Sequence, residues 1–271
     1  MTGSAVLRIA VLSLGIVAPL EAQEDFRAAD ADRPIRVEDA YPLKLYEWEW
    51  QAGGRSEVAK GGDYLFSELL ELKVGVARNW QLGLELHGSQ ERMAELWRNG
   101  LEEFGTHVFY NLNQEGRRTP ALALRADIFT PGIGDVGRED IGARWRVILT
   151  RSYSRLRVHF NGSYDWATDA DGGDLWSAGL GFDYPIGLFS KAVLGDVYTE
   201  IPVDGGDARV WAEFGTRFQL TNSSVLDLGL TSRLDQWEDG SPNIGIVIGL
   251  SRVFGIAGLV KIPPYPNPRI D

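Results

Sequence analysis

The chain has 271 residues, a formal net charge of −11 and no cysteine. Without cysteine there are no disulfides, thiolate metal sites or cysteine nucleophile, and the negative charge argues against a nucleic-acid partner, which needs a basic footprint. Thirty-two glycines and nine tryptophans are many for a soluble α/β enzyme.

In chain order, residues 1–22 read as a secretory signal peptide. Arg8 is the positive start, Ile9 to Leu20 the apolar stretch, and "APLEA" the cleavage site, with Leu20 large for its place. A membrane anchor would need about 20 apolar residues, more than this run supplies. Residues 23–42 follow as an expected periplasmic segment.

The first strand announces itself in "LYEWEWQ", where Tyr46, Trp48 and Trp50 alternate with Glu47 and Glu49. Successive side chains of a strand point to opposite faces, so the aromatics share one face and the glutamates the other. The same period recurs in "WQLGLELHG", in "DIGARWRVILT" and in "RLRVHFNGSYDW". Further strands are predicted over 43–50, 67–77, 102–113, 120–130, 176–184, 188–200, 208–220, 225–235 and 244–254. Of these, 188–200 is the poorest, since neither face is cleanly apolar. The sum is about twelve strands of about ten residues, the length of tilted membrane-spanning strands.

The connections alternate in length. Short ones fall at 78–79, 151–154, 185–187 and 221–224, with 113–119 intermediate; long ones fall at 51–66, 89–101, 131–139, 166–175, 201–207 and 236–243. Short turns at one rim and long loops at the other mark an outer-membrane barrel. Aromatic girdles should lie at both rims: Trp48, Trp50, Trp166 and Trp176 outside, Trp80 and Tyr184 at the periplasmic side. The expected fold is therefore all-β, a transmembrane antiparallel up-and-down barrel over 43–254, with a periplasmic tail at 255–271.

The apolar face meets lipid, because a lipid-facing Arg or Lys at mid-depth costs about 2–4 kcal/mol. The inward face carries the candidate pore-lining residues. Glu47, Glu49, Glu71 and Glu85 come from the first three strands, with Lys73 as the exception. Arg125, Arg144, Arg146, Arg155, Arg157 and His159 come from the fifth to seventh. An acidic wall facing a basic wall would focus a field on a dipolar or anionic solute. Alternatively, the two sets pair across a narrow lumen and plug it. Arg144, Arg146, Arg155 and Arg157 are expected to cluster, since one short turn joins their strands. Trp211 and Phe109 point inward and are read as filling.

Chemistry is sparse. His87 and Ser89 have the spacing of a barrel lipid hydrolase, but both are expected to face the lumen. "DADGGD", Asp169 to Asp174, is a loose calcium-type loop that reads more simply as a solvated turn, the alternative being a cation bridge to lipopolysaccharide. "QERMAELWRN" is expected as a short loop helix. No catalytic residue, metal site or cofactor is assigned.

"RFQLTNSSVLDLGLTSRLDQWEDGSPNIGIVIGLSRVF", Arg217 to Phe254, resembles the last hairpins of the outer-membrane transporters associated with the meta-pathway of phenol degradation. "PALALRADIFTPGIGD", Pro120 to Asp135, is similar to that family's central strand and loop. The likeness spans about residues 67–254 and implies a small outer-membrane channel for aromatic or other organic compounds. One departure is that residues 255–271 follow Phe254, where the family ends. The expected role is passive diffusion of small solutes, with aromatic or anionic compounds as candidates. Outer-membrane lipids, lipopolysaccharide and the barrel-assembly machinery are the expected partners. The rival readings are an enzyme acting on envelope lipids and a plugged structural or adhesion barrel.

Overall fold

The structure is a computed structural model that describes residues 27–59, 62–93, 95–166, 173–187, 190–235 and 242–255. The expected signal peptide, most of "DADGGD" and the tail after Gly255 lie outside the described residues.

Thirteen strands succeed one another: β1 (Glu47–Ala59), β2 (Tyr64–Ala77), β3 (Trp80–Met93), β4 (Leu96–Asn113), β5 (Ala121–Thr130), β6 (Ile133–Gly134), β7 (Gly142–Tyr153), β8 (Leu156–Trp166), β9 (Leu175–Ile186), β10 (Lys191–Pro202), β11 (Arg209–Thr221), β12 (Ser224–Arg233) and β13 (Pro242–Gly255). The twelve long strands pair antiparallel with their neighbours, and β13 returns to β1, from Glu47↔Gly255 to Val58↔Ile244. The barrel is thereby closed with twelve strands and leaves no edge, the condition for crossing a bilayer with strands. The two-residue β6 folds back onto β4 at Gly100 and Leu101.

The alternation explains the wall. On β3, Leu82, Leu84 and Leu86 are exposed on the outer surface while Gln81 and Glu85 are buried inside; on β7, Trp145 and Val147 face out while Arg146 and Ile148 face in. The connections sort by rim. One rim has turns at 78–79, 114–120, 154–155 and 222–223; the other has the loops, including 131–141 and 203–208.

Two expected loops are largely strand. β1 runs on through "QAGGRSEVA" to Ala59, because β13 and β2 pair with it on both sides. Its glycines and serine are strand residues where a neighbour covers them; a Cβ at Gly54 would touch Phe66 at 3.4 Å. Trp48 and Trp50 therefore lie at the turn rim, not at the loop rim, and Trp48 stacks on Phe254 there at 6.5 Å. Likewise "QERMAELWRN" is no helix but the tip of the β3–β4 hairpin, with Arg92 opposite Trp97 and Met93 opposite Leu96. The other girdle members hold their places. Trp80 stacks on Tyr110 at 4.3 Å at the turn rim, and Trp176 meets Tyr164 at 4.8 Å at the loop rim.

The largest departure is the stretch expected in the periplasm. Its described part, from Arg27 onward, lies inside the barrel. It enters at the turn rim, where Arg27 meets Asp183, rises to an apex at 32–36, and returns to the turn rim, where Leu43 meets Gln81 and the Tyr46 amide donates to the Gly75 carbonyl. Ile35, Val37 and Ala40 are fully buried. Ile35 and Val37 pack with Ala29, Ala192 and Leu194; Ala40 and Tyr41 pack with Phe109, Ala121, Ala123 and Ile148. These apolar residues hold the segment in the lumen because each finds an apolar inward residue to cover it.

Candidate functional site

The site is the lumen together with this segment, whose side chains and backbone groups between them meet every long strand. Asp30 pairs with Lys73 on β2 at 2.8 Å and with Arg217 on β11 at 3.2 Å. Arg33 stands 3.6 Å from Asp227 on β12, over Gly53 of β1 and Gly249 of β13. Arg36 pairs with Glu213 on β11 at 3.2 Å and lies over the Trp211 ring at 4.5 Å. Asp196 on β10 accepts the amides of Arg36 and Val37 at 2.8 and 3.1 Å. On the descending limb, the Glu38 amide donates to Asn161 on β8 at 2.9 Å, and the Ala40 amide to Thr150 on β7 at 2.9 Å. Asn111 on β4 donates to the Ala40 carbonyl at 2.7 Å.

One contact organises the rest. Arg125 on β5 and Arg146 on β7 are direct cross-strand partners, an arrangement that repels. The Glu38 carboxylate sits between them, one oxygen 3.0 Å from Arg125 and the other 2.7 Å from Arg146. Arg125 also donates to Asp127 at 2.8 Å and contacts Glu85 across β4. Removing water from such charges costs several kcal/mol per ion unless each is paired and hydrogen-bonded. Here the segment supplies the pairing.

Two segment carboxylates respond accordingly. Burial alone would raise Asp30, but Lys73, Arg217 and Arg33 outweigh it and hold the group well below the usual carboxylate range. Burial likewise opposes the ionised Glu38, and Arg125, Arg146 and His107 reverse that and depress it.

The residues read from sequence as pore-lining are distributed as follows. Glu49, Glu71, Glu85, Arg125, Arg146, Arg157 and His159 are buried on the inner face. Arg144 faces inward, partly exposed, against Asp165. Glu47 lies at the turn rim, where it pairs with exposed Lys44 at 3.3 Å. Arg155 is exposed at the β7–β8 turn and donates to the carbonyls of Pro185 and Gly187. The four arginines do not cluster. The hairpin register puts Arg146 opposite Ser163 and Arg157 opposite Ser152, so one pair lies toward the loop rim and the other toward the turns.

The two walls are less segregated than charge along the chain implied. Asp127 and Asp165 stand among the basic strands and Asp183 on the next one, while Arg55 and Lys73 stand among the acidic ones. Most pairs are therefore local: Lys73 with Glu49 at 2.9 Å, Arg157 with Asp183 at 2.6 Å, His159 with Asp183 at 3.0 Å. Trp211 and Phe109 are inward and buried, filling space as expected. His87 is also luminal and bonded to Glu85 at 3.1 Å, with Ser89 buried on the same face. Above the apex, toward the loop rim, remains a cavity of about 410 Å³ lined among others by Arg36, Arg55, Glu57, His87, Arg144 and Trp211.

No family model and no curated protein matches the chain. Among solved structures it is similar to the COG4313 outer membrane channel from Pseudomonas putida F1, at 13% identity and a TM-score of 0.64, over 80% of this chain and 98% of that one. It is also similar to the NanC porin, at 12% identity and a TM-score of 0.55, over 76% and 98%. The fold is that of an outer-membrane barrel.

Proposed function

We propose that the protein is an outer-membrane channel for small solutes whose lumen is closed at rest by residues 27–46. The observation that carries this reading is Glu38 clamped between Arg125 and Arg146. A lumen packed solid by wall side chains would need no such clamp. Here Arg146 loses its carboxylate partner unless the segment is docked, while Arg125 keeps Asp127 and Glu85 but still faces it. The segment is one rising and returning excursion of chain outside the strand ladder, so it is a separable occupant and not part of the wall.

The localisation proposed is the outer membrane, with the turn rim at the periplasm and the loop rim outside, since outer-membrane barrels carry short turns on the periplasmic side. The resemblance to the transporters of the phenol meta-pathway, and the printed names of the two similar structures, favour a channel over the rivals. The polar cavity at the loop rim, with Trp211, five arginines and six carboxylates in its wall, suits a small polar organic solute. An enzyme of envelope lipids is disfavoured because His87 and Ser89 face the lumen, away from lipid.

Planar-bilayer conductance tests the reading. The full chain should give small, infrequent currents, and a chain lacking residues 27–42 should give larger, steady ones. Equal currents from the two would refute the gate, and silence from both would refute the channel.

A further inference from the structure

We infer that Glu71, Glu85 and His107 form a binding site for a divalent transition-metal ion of the zinc class. Glu71 on β2 and Glu85 on β3 are direct cross-strand partners. Two like charges so placed destabilise a sheet unless something compensates them. His107 on β4 is opposite Gly83. Because position 83 lacks a side chain, the imidazole lies across β3; a Cβ there would stand 2.0 Å from its Cε1. This brings Nδ1 to 2.7 Å from Glu85 Oε1 and 3.6 Å from Glu71 Oε1. The three donor atoms lie within 4.8 Å of one another, and all three residues are buried.

A second observation points to a ligand. Glu71 Oε1 is buried with no hydrogen-bond partner among the described residues. The ammonium of Lys73 stands 3.9 Å from its other oxygen, beyond hydrogen-bond reach. A carboxylate is an acceptor with lone pairs to fill, and leaving it unfilled is unfavourable. The surroundings do not supply the missing positive charge. Arg125 contacts Glu85, and Lys73 is shared with Asp30 and Glu49, so Glu71 is left without a close cation of its own. A cation between Glu71 and His107 would fill the open oxygen and offset the repulsion of the two facing glutamates.

The donor set, one imidazole nitrogen and two carboxylate oxygens on three adjacent strands, is one that zinc-class ions accept. The support is present too. His87 Nε2 bonds the second oxygen of Glu85 at 3.1 Å, fixing that carboxylate as outer partners of metal ligands do. His87 also lines the cavity at the loop rim, which gives an ion a way in. Binding requires the Nδ1 lone pair, so the neutral ring exchanges the proton that Nδ1 now directs at Glu85 for one on Nε2, with no net proton released and the Gln81 amide turned away from Nε2.

Gln81 provides a lever on that proton. Its Oε1 accepts the Leu43 amide at 2.9 Å, which turns its NH₂ toward His107 Nε2 at 3.4 Å. That arrangement favours the tautomer protonated on Nδ1. A carboxylate at position 81 would accept from both Leu43 and an Nε2–H, favouring the tautomer that ligates.

The test is titration of the metal-stripped full chain in detergent with cobalt(II), followed by its visible absorption, and with zinc by calorimetry. One ion per chain is expected, weakened at least tenfold in Glu71→Gln and in His107→Gln, and tightened severalfold in Gln81→Glu. Barrel integrity of each variant is checked by far-UV circular dichroism. Absence of binding by the wild-type chain overturns the proposal. So does wild-type affinity in both Glu71→Gln and His107→Gln, or a cobalt spectrum unchanged by loss of the imidazole.

Discussion

The barrel wall and the luminal segment are two regions of one chain built on different physics. The wall is held by backbone ladders that run from strand to strand and close on themselves, so its architecture tolerates many side chains as long as the period of two survives. The segment has few backbone-to-backbone bonds to the wall and is held through side chains: Asp30, Arg33, Arg36, Glu38 and Asp39 against partners on the strands, and wall side chains against its amides. The lesson is one of separability. Wall and segment should respond independently to mutation, and each prediction below is a way to break that independence or to sharpen it.

The largest effect should come from removing the segment. The chain without residues 27–42 should still fold as a barrel and conduct severalfold more than the full chain. Unfolding of the shortened chain would mean that the wall depends on its occupant. Next comes Glu38→Gln, which leaves Arg125 facing Arg146 without the shared carboxylate. Breaking a buried charged contact costs about 3–5 kcal/mol. That cost should fall on docking, seen as a higher open probability, while urea unfolding of the barrel changes less.

On the outer face, Leu84→Arg should lower barrel stability in lipid by about 2–4 kcal/mol and leave the current of the folded fraction unchanged. A changed current would show that the two faces communicate. Gly229→Val should do the reverse. A Cβ at 229 would stand 2.9 Å from Pro34 Cβ, so the substitution crowds the segment, with overpacking worth about 1–3 kcal/mol. Open probability should rise, with barrel migration on a gel unaltered.

The smallest effect concerns pH. Asp30 and Glu38 are depressed when docked. Their contribution is therefore complete above the ordinary carboxylate pKa, about 4, and is lost as pH falls through the lower docked values. The groups facing them are Lys73, Arg217 and Arg33 for Asp30, and Arg125, Arg146 and His107 for Glu38. Current at pH 5 should match that at pH 7 and rise only in stronger acid. A rise between pH 7 and 5 would assign the gate to other groups.

The wall was legible because lipid and lumen impose opposite preferences on alternate residues. Strand ends were less so. In "QAGGRSEVA" the outward residues are small, and pairing by β2 and β13 overrides their weak strand signal. Arginine positions could be assigned to a face but not to a depth, since register depends on turn geometry that spacing alone does not give. The segment was missed because 23–42 has neither strand nor helix period. A signal for it did exist. β10 read poorly because Ala192 and Leu194 put apolar groups on the inner face, and β4, β5 and β7 do the same with Phe109, Ala121, Ala123 and Ile148. Apolar residues facing a lumen need cover, and "PIRVEDAY" carries the apolar side chains that supply it. The convergence of Glu71, Glu85 and His107 was not legible either, since it depends on the registers of β2, β3 and β4 together.

The central claim is that residues 27–46 occupy the lumen and close it. The chain has no cysteine of its own, so a single engineered pair reports cleanly. Val37 lies against Gly181 of β9, where an added Cβ would stand 2.2 Å from a Val37 methyl. The decisive measurement is the bilayer current of the V37C/G181C double variant before and after reduction. The account predicts that the disulfide forms in the folded barrel, that the oxidised channel stays closed, and that reductant restores wild-type openings. Failure of the pair to cross-link, or a full current through the oxidised channel, would contradict it.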